Sequence, residues 1–361
     1  MRGLRLELRP FRLRLAAPLS TAHGILHARD GVLVRAVEGA LQGVGEASPL
    51  AGFGTEDAAR ALAVLERASA RLAGARLPRS AVDLDSLLDD SLPAGVPAAR
   101  AALECALLDL RAQLEERPLR ALLAAERAAI DGAAAAPALD QLPLSALLPD
   151  ADPAAAAARA VRDGFAAVKL KVAARPLASD LERARAVRAA AGAEVAVRLD
   201  ANGGWTATDA AVALTALAEV RPELCEQPVA PGNPAAWTAL SRICPLAADE
   251  SCADLAEVEQ LLRARALRAV ALKLPVLGGL LPALRLAGTA IRHGAAPLVT
   301  CALDGAVGRA AAAHLAAALR VELAAGLATA RLLAEDLCAD PFAPVRGRMH
   351  LGTAPGLGVS P

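Results

Sequence analysis

Val168-Lys169-Leu170-Lys171-Val172 places a lysine on either side of one leucine. In an extended strand successive side chains point to opposite faces, so Lys169 and Lys171 share one side and the three apolar residues share the other. An edge strand with its lysines in solvent has the same pattern. At the mouth of a barrel, two neighbouring ammonium groups would disfavour each other's charge and bring a lysine toward the range in which it serves as a base. The residues downstream decide between these readings.

From about residue 141 short apolar runs alternate with alanine-rich helical runs. Strands are predicted near 142–147, 165–171, 194–200, 223–226, 245–249, 269–274, 296–300 and 321–325, with helices at 153–163, 179–191 and 207–218. Repeated β-then-α units imply parallel strands with right-handed crossovers, and eight of them suggest a closed (β/α) barrel. Lys171, Asp200, Glu226, Asp249 and Lys273 each fall at the end of such a strand, at intervals of 23 to 29 residues, the length of one unit. The C-terminal strand ends of a barrel form its active face, so all five side chains should converge there.

An ion-pair network is the structural reading of that set. Three crowded carboxylates repel one another, however, and oxygen-only ligands with room for water and substrate suit Mg²⁺, with Mn²⁺ as an alternative. A metal flanked by lysines suits removal of a proton next to a carboxylate. The divalent ion offsets the second negative charge that develops on the carboxylate, and a tuned lysine takes the proton.

The first part of the chain is built differently. Residues 4–15 and 31–38 alternate as strands, whereas Gly43–Pro49 and Leu50–Glu56 are glycine-dense and read as loops. Thr55 is placed to N-cap a helix that follows, and two more helices are expected near 81–90 and 97–114, an α+β arrangement. With 361 residues the chain can hold one large domain with an attachment, or two domains.

Composition narrows the class: 55% of residues are hydrophobic, with four Phe, two Trp, no Tyr and a formal net charge of zero. That balance argues against a general nucleic-acid or acidic-membrane binder. Residues 1–15 alternate without an uninterrupted apolar core, so neither a signal peptide nor a membrane span is read there, and a cytoplasmic location is expected. Six cysteines without a Cys-x-x-Cys pair are read as buried thiols of a reducing compartment. His23 and His27 have the spacing of a zinc pair, but the intervening Gly24 and the lack of an accompanying Glu argue against a metal there.

Taken together, Lys169-Leu170-Lys171, Asp200-Ala201-Asn202, Glu226-Gln227-Pro228, Asp249-Glu250-Ser251 and Lys273 followed by Gly278-Gly279 resemble the enolase superfamily, in the subgroup with lysines on strands two and six. Gly45-Glu46-Ala47-Ser48-Pro49 is similar to a turn of that superfamily's N-terminal capping domain, so the resemblance covers nearly the whole chain. It implies a modified (β/α)7β barrel over 126–329. An α+β capping domain over 1–125 would be completed by about 330–361. By resemblance, Asp200, Glu226 and Asp249 hold Mg²⁺, Lys171 and Lys273 face each other across the substrate, and Lys169 supports Lys171 or contacts a substrate carboxylate.

Thr21-Ala22-His23-Gly24 with Arg29-Asp30-Gly31, Pro49 to Glu56, and Gly326 to Thr329 leading to Ala334-Glu335-Asp336-Leu337 look most like the o-succinylbenzoate synthases of menaquinone synthesis. The implied reaction is dehydration of 2-succinyl-6-hydroxy-2,4-cyclohexadiene-1-carboxylate, a small-molecule carboxylate, to 2-succinylbenzoate. Arg198, Asn202, Thr300, Cys301, Thr21 and Phe53 are then candidate substrate contacts, and Gly278 and Gly279 are expected to offer N–H groups to the succinyl carboxylate. A salt bridge is the competing reading of Arg198. N-succinylamino acid racemases and dipeptide epimerases of the subgroup are the rival activities. The Asp-x-Asp usual in dipeptide epimerases is missing between 320 and 330, and His293, the candidate a sugar-acid dehydratase would require, precedes strand seven.

Overall fold

The computed structural model describes residues 3–21, 24–132, 134–340 and 342–361, and excludes the side chains of Ser20 and Thr21. The chain opens with an antiparallel sheet of β1 (Arg5–Thr21), β2 (Gly24–Glu38) and β3 (Leu41–Ala47), in that order. The segment expected to be a glycine-rich loop is thus mostly the third strand. Its glycines serve helix packing instead of turning. A Cβ on Gly45 would stand 1.9 Å from the Ala102 carbonyl oxygen, and one on Gly43 2.1 Å from that of Ala106. Both carbonyls belong to α3 (Pro97–Leu114), whose alanines allow it to lie directly against the strand.

On the same sheet packs α1 (Ala58–Leu72), while α2 (Ala81–Ser91) packs on α1 and α3, and α4 (Leu119–Asp131), not anticipated, packs on α3. Asp57, not Thr55, caps α1: its carboxylate accepts from the Arg60 N–H at 2.8 Å. Asp57 is the last extended residue before the helix, where a side-chain oxygen can reach back to the free amides. The Thr55 hydroxyl instead accepts from Leu50 N–H at 2.6 Å and donates to the Glu56 carbonyl at 2.9 Å.

After the short strand β4 (Gln141–Pro143) comes a parallel sheet. Its strands are β5 (Ser145–Leu147), β6 (Ala167–Lys171), β7 (Ala196–Asp200), β8 (Leu224–Glu226), β9 (Leu246–Ala248), β10 (Ala269–Leu272) and β11 (Ala296–Val299), adjacent in chain order. Between them run α5 (Pro153–Arg162), α6 (Leu177–Ala191), α7 (Ala207–Leu217), α8 (Pro234–Leu240), α9 (Leu255–Arg263), α10 (Leu274–Leu277) and α11 (Leu280–Arg292), with α12 (Ala306–Leu319) after β11. The strand expected near 321–325 is reduced to two parallel bridges, Leu144↔Ala325 and Thr300↔Gly326, which join the two edges of the sheet. The result is a barrel-like α/β domain beneath an N-terminal cap. Val168 and Leu170 are fully buried, as the alternation in β6 required. The six cysteines are unpaired and five are buried. No helix among the described residues is long and apolar enough to cross a membrane.

The C-terminal segment, with β12 (Arg348–His350) paired to β4, folds back over α12. There buried His314 accepts the Arg120 N–H on Nδ1 at 2.9 Å, so its proton sits on Nε2 and is donated to the Leu357 carbonyl at 3.1 Å. Burial pushes this imidazole down to about 3, the Leu357 bond opposing and nearby Arg120 reinforcing the shift. A histidine depressed in the fold gives up stability as pH falls below its unfolded value, because only the unfolded chain then takes the proton. From pH 6.5 to pH 5 the cost is about 2 kcal/mol. Urea unfolding at pH 7.5 and pH 5 should show a larger loss in wild type than in His314→Gln. Equal losses would remove His314 as the cause.

Candidate active site

Lys171, Asp200 and Glu226 are the last residues of β6, β7 and β8, in register as Lys171↔Asp200 and Asp200↔Glu226. Asp249 and Lys273 each follow their strand by one residue. All five therefore arrive at one end of the sheet. Lys169, two residues deeper in β6, reaches up so that its ammonium lies 2.9 Å from both Asp200 and Glu226. Lys273 Nζ is 2.7 Å from Asp249 and 4.3 Å from the centre of the Phe53 ring, a cation–π arrangement supplied by the cap. Lys171 forms no salt bridge with a described residue.

These contacts outweigh the expected lowering of one lysine by another, which survives as the Lys169 charge working against that of Lys273. Burial works to lower both Lys169 and Lys273, but the carboxylates outweigh it: Asp200 and Glu226 raise Lys169, and Asp249 raises Lys273. Conversely, burial works against the Asp200 charge, and the Lys169 ammonium overcomes it and holds Asp200 below its ordinary range. Glu226 is raised by burial and by the charges of Asp200 and Asp249, despite Lys169. Glu250, to which no role was given from the sequence, is raised to about 7 by burial and by Asp249 and Asp200. Its Oε1 accepts from Asn202 Nδ2 at 3.1 Å and its Oε2 is buried without a partner.

A cavity of about 350 Å³ opens over this cluster, lined by Lys169, Lys171, Asp200, Asn202, Asp249, Lys273, Thr300, Cys301 and Phe53. Glu226 lies behind Lys169. The cap closes one side with Leu50, Ala51, Gly52 and Phe53, and the β1–β2 hairpin adds Leu19, Ile25 and Leu26. Ser145, Leu147, Leu303, Ala328 and Thr329 complete the wall. Leu19, Ile25 and Leu26 went unnoticed in the sequence because an apolar residue on a hairpin resembles any other core residue. The Ser251 hydroxyl accepts from Gln227 Nε2 at 2.8 Å and donates to Glu257 Oε1 at 3.2 Å.

Three expected contacts are not made. Arg198 shares the inward face of β7 with Asp200 but sits roughly 7 Å lower along the strand. It turns to the opposite end of the barrel, where Nε meets Glu223 at 2.6 Å and Nη1 the Ala324 carbonyl at 2.6 Å. The Gly278 and Gly279 N–H groups both bond the Leu274 carbonyl, at 3.0 and 3.1 Å, and neither glycine lines the cavity. The amides that open α11 are taken by the buried Glu104 carboxylate. The Thr21 side chain and all of His23 lie outside the described residues. His293 ends α11, at the entrance to β11 and away from the cavity.

Among the described residues no group of three His, Cys, Asp or Glu side chains is gathered as a metal centre, and the Lys169 and Lys273 ammonium groups lie against the three carboxylates. The donor set still fits a hard divalent cation. Three buried carboxylates, Asp200, Glu226 and Asp249, converge at one end of the sheet, and oxygen donors of this kind are what such an ion prefers.

Comparison with known proteins agrees with this geometry. Residues 6–124 match the mandelate racemase / muconate lactonizing enzyme N-terminal domain, and residues 152–361 match the enolase C-terminal domain-like family. An o-succinylbenzoate synthase from Thermobifida fusca is 39% identical over 215 residues, 59% of this chain and 67% of that protein. A chloromuconate cycloisomerase from Cupriavidus necator is 31% identical across 95% of this chain and 92% of its own. The dipeptide epimerase of Enterococcus faecalis V583, solved with Mg and the dipeptide L-Leu-L-Tyr, superposes with a TM-score of 0.88 at 28% identity over the full length of both chains. The strand-end lysines and carboxylates, the cap above them and these two domain matches lead to one conclusion: the chain belongs to the enolase superfamily and is an enzyme of it.

Proposed function

We propose that the protein is an o-succinylbenzoate synthase, a hydro-lyase of menaquinone synthesis that dehydrates 2-succinyl-6-hydroxy-2,4-cyclohexadiene-1-carboxylate. The observation that carries this reading is the charge pattern of the cavity. Its lining acids, Asp200 and Asp249, are already paired with lysines, and the wall from Gly326 to Thr329 bears none. A substrate with a free ammonium finds no acidic partner there, whereas a dicarboxylate with a carbocyclic ring meets lysines at one end and apolar side chains around the rest.

In this reading Lys171 takes the proton α to the ring carboxylate, the C–O bond to the hydroxyl breaks, and the same lysine returns the proton so that water leaves. Lys273, held charged beside Asp249, faces the developing negative charge. Asp200, Glu226 and Asp249 would hold Mg²⁺, or Mn²⁺. When bound, the metal supplies electrostatic stabilisation to the substrate carboxylate. Lys169 pairs with two of those carboxylates, Asp200 and Glu226.

Lys171 and Lys273 also line the same cavity, and this supports a second reading: a two-base racemase or epimerase of N-succinylamino acids or dipeptides. The purified protein, with Mg²⁺ and with EDTA, should be mixed with the cyclohexadiene carboxylate while its ultraviolet absorbance is followed. Rapid, metal-dependent loss is expected. No turnover, together with deuterium exchange at the α-carbon of N-succinylamino acids or dipeptides, would replace the synthase with the racemase or epimerase.

A further inference from the structure

Asp200 and Glu226 are strand residues, held in register by their neighbours, but Asp249 is not. It follows β9 and precedes the short 3₁₀ turn Glu250–Ala253, with φ at −125° and ψ at −79°. Neither a strand nor a helix therefore fixes where its carboxylate stands. The group that holds this stretch of backbone is the side chain of Gln227, the residue after Glu226, which is fully buried.

Every hydrogen-bonding position of the Gln227 amide is used. Oε1 accepts the Asp249 N–H at 3.0 Å and the Ser251 N–H at 3.2 Å. Nε2 donates to Ser251 Oγ at 2.8 Å and to the Val229 carbonyl at 2.9 Å. A primary amide has two acceptor sites on oxygen and two N–H donors, so a glutamate or a methionine could not make this set. Three of the four bonds reach the segment that begins with Asp249. The main chain of Gln227 extends the tie: its N–H donates to the Ala247 carbonyl at 2.9 Å, and its carbonyl accepts the Gly203 N–H at 2.7 Å. One residue thus joins the ends of β7, β8 and β9. Its φ of +38° lies in the left-handed region, which a glutamine keeps only when its surroundings hold it. Ser251 carries the tie on to α9 through Glu257, which also accepts the Gly232 N–H at 3.0 Å.

We infer that Gln227 is a positioning residue that fixes Asp249 against Glu226 through its side-chain amide, and so sets the spacing of two of the three carboxylates that would hold the metal. It does not line the cavity and acts only through its neighbours. The inference rests on the reading of Asp200, Glu226 and Asp249 as the Mg²⁺ site, and its structural part is measured without metal or substrate.

The test compares the full-length wild type with Gln227→Met, which keeps the length of the side chain but none of its bonds, and with Gln227→Gly. Glycine suits the positive φ, so the second variant decides the matter alone if the first does not fold. In metal-free protein, hydrogen–deuterium exchange in 247–253 should rise about tenfold or more in both variants, while α6 stays unchanged. Mn²⁺ binding, followed by loss of the free ion's electron paramagnetic resonance signal, should weaken by about tenfold or more. His314→Gln disturbs buried hydrogen bonds at Arg120 and Leu357 instead, and it should bind Mn²⁺ as the wild type does. Exchange in 247–253 or Mn²⁺ affinity at the wild-type value in Gln227→Gly overturns the inference, as does equal weakening in His314→Gln. A wild type that binds no Mn²⁺ overturns the metal reading, and exchange alone then decides whether Gln227 holds Asp249. A wild type that binds Mn²⁺ without turning over the cyclohexadiene carboxylate overturns only the proposed reaction.

Discussion

Lys171→Ala should lower turnover by roughly a thousandfold or more, within the range that a positioned general base contributes. The fold should hardly notice. Lys171 is half-buried at the end of β6 and makes no salt bridge with a described residue, so unfolding free energy should shift by no more than about 0.5 kcal/mol. Lys171→Arg is the sharper variant. It keeps the positive charge but cannot give up a proton near neutral pH, and it should be as inactive as the alanine variant. Either variant retaining a tenth of wild-type turnover would remove Lys171 as the base. Lys273 does not offer so clean an experiment, because its buried ammonium also balances Asp249 and its loss would leave that carboxylate uncompensated.

Glu104→Ala should destabilise the protein by about 3 kcal/mol or more, although the residue lies in the cap and its helix in the barrel. The carboxylate is fully buried. It accepts from the Leu280 N–H, from the Leu281 N–H at 3.1 Å and from Arg100 Nη1 at 3.2 Å. Removing it leaves the two opening amides of α11 without their acceptor and takes one carboxylate partner from Arg100, which keeps the Gly278 carbonyl and Asp85. Gly279, the N-cap position, cannot replace it. With φ at +138° and a Cβ that would stand 2.1 Å from Glu104 Oε2, this position accepts only glycine. Glu104→Gln keeps an acceptor for the amides and should cost about 1 kcal/mol. Burial raises Glu104 to about 7, against the pull of Arg100, so its charge opposes folding increasingly as pH rises from 4.5 through 7. The advantage of glutamate over glutamine should therefore shrink at pH 8. Urea denaturation of the three proteins at pH 6 and pH 8 measures both effects. A loss below 1 kcal/mol for the alanine variant would show that α11 does not depend on the cap.

The same segment links this stability effect to the site. Lys273 is the N-cap residue of α10, and α10 ends at Gly278, whose carbonyl accepts from Arg100 Nη1 at 3.1 Å. The turn that carries Lys273 is thus held from the cap by the Arg100–Glu104 pair.

What could be read along the chain was whatever repeats along it. Lys171, Asp200, Glu226, Asp249 and Lys273 recur once per βα unit, and a parallel sheet converts that spacing into convergence at one end. The alternation in β6 likewise assigned Lys169 and Lys171 to one face. Depth and partnership were not readable in this way. Alternation gave Arg198 its face but not its height, and its partners lie at the floor, one of them 126 residues away. Gly278 and Gly279 were read as free donors because nothing local shows that their amides already bond Leu274. The glycines of β3 were read as a loop because the helix they accommodate begins fifty residues later.

Electrostatics depended most on the tertiary structure. From sequence, Lys169 and Lys171 were expected to depress one another, since like charges two residues apart are visible in one strand. In the fold, carboxylates from β7 and β8 and the residue after β9 reach the lysines more closely, and they raise Lys169 and Lys273. The sequence by itself determined the strand ends and the identity of the chemical groups, because these follow from periodicity and side-chain type, and its strand-end motifs carried the resemblance to the superfamily. Only the tertiary structure decided which charges pair, which amides are already used and how the cap holds the barrel's helices, because those are set by distances between residues far apart in the chain.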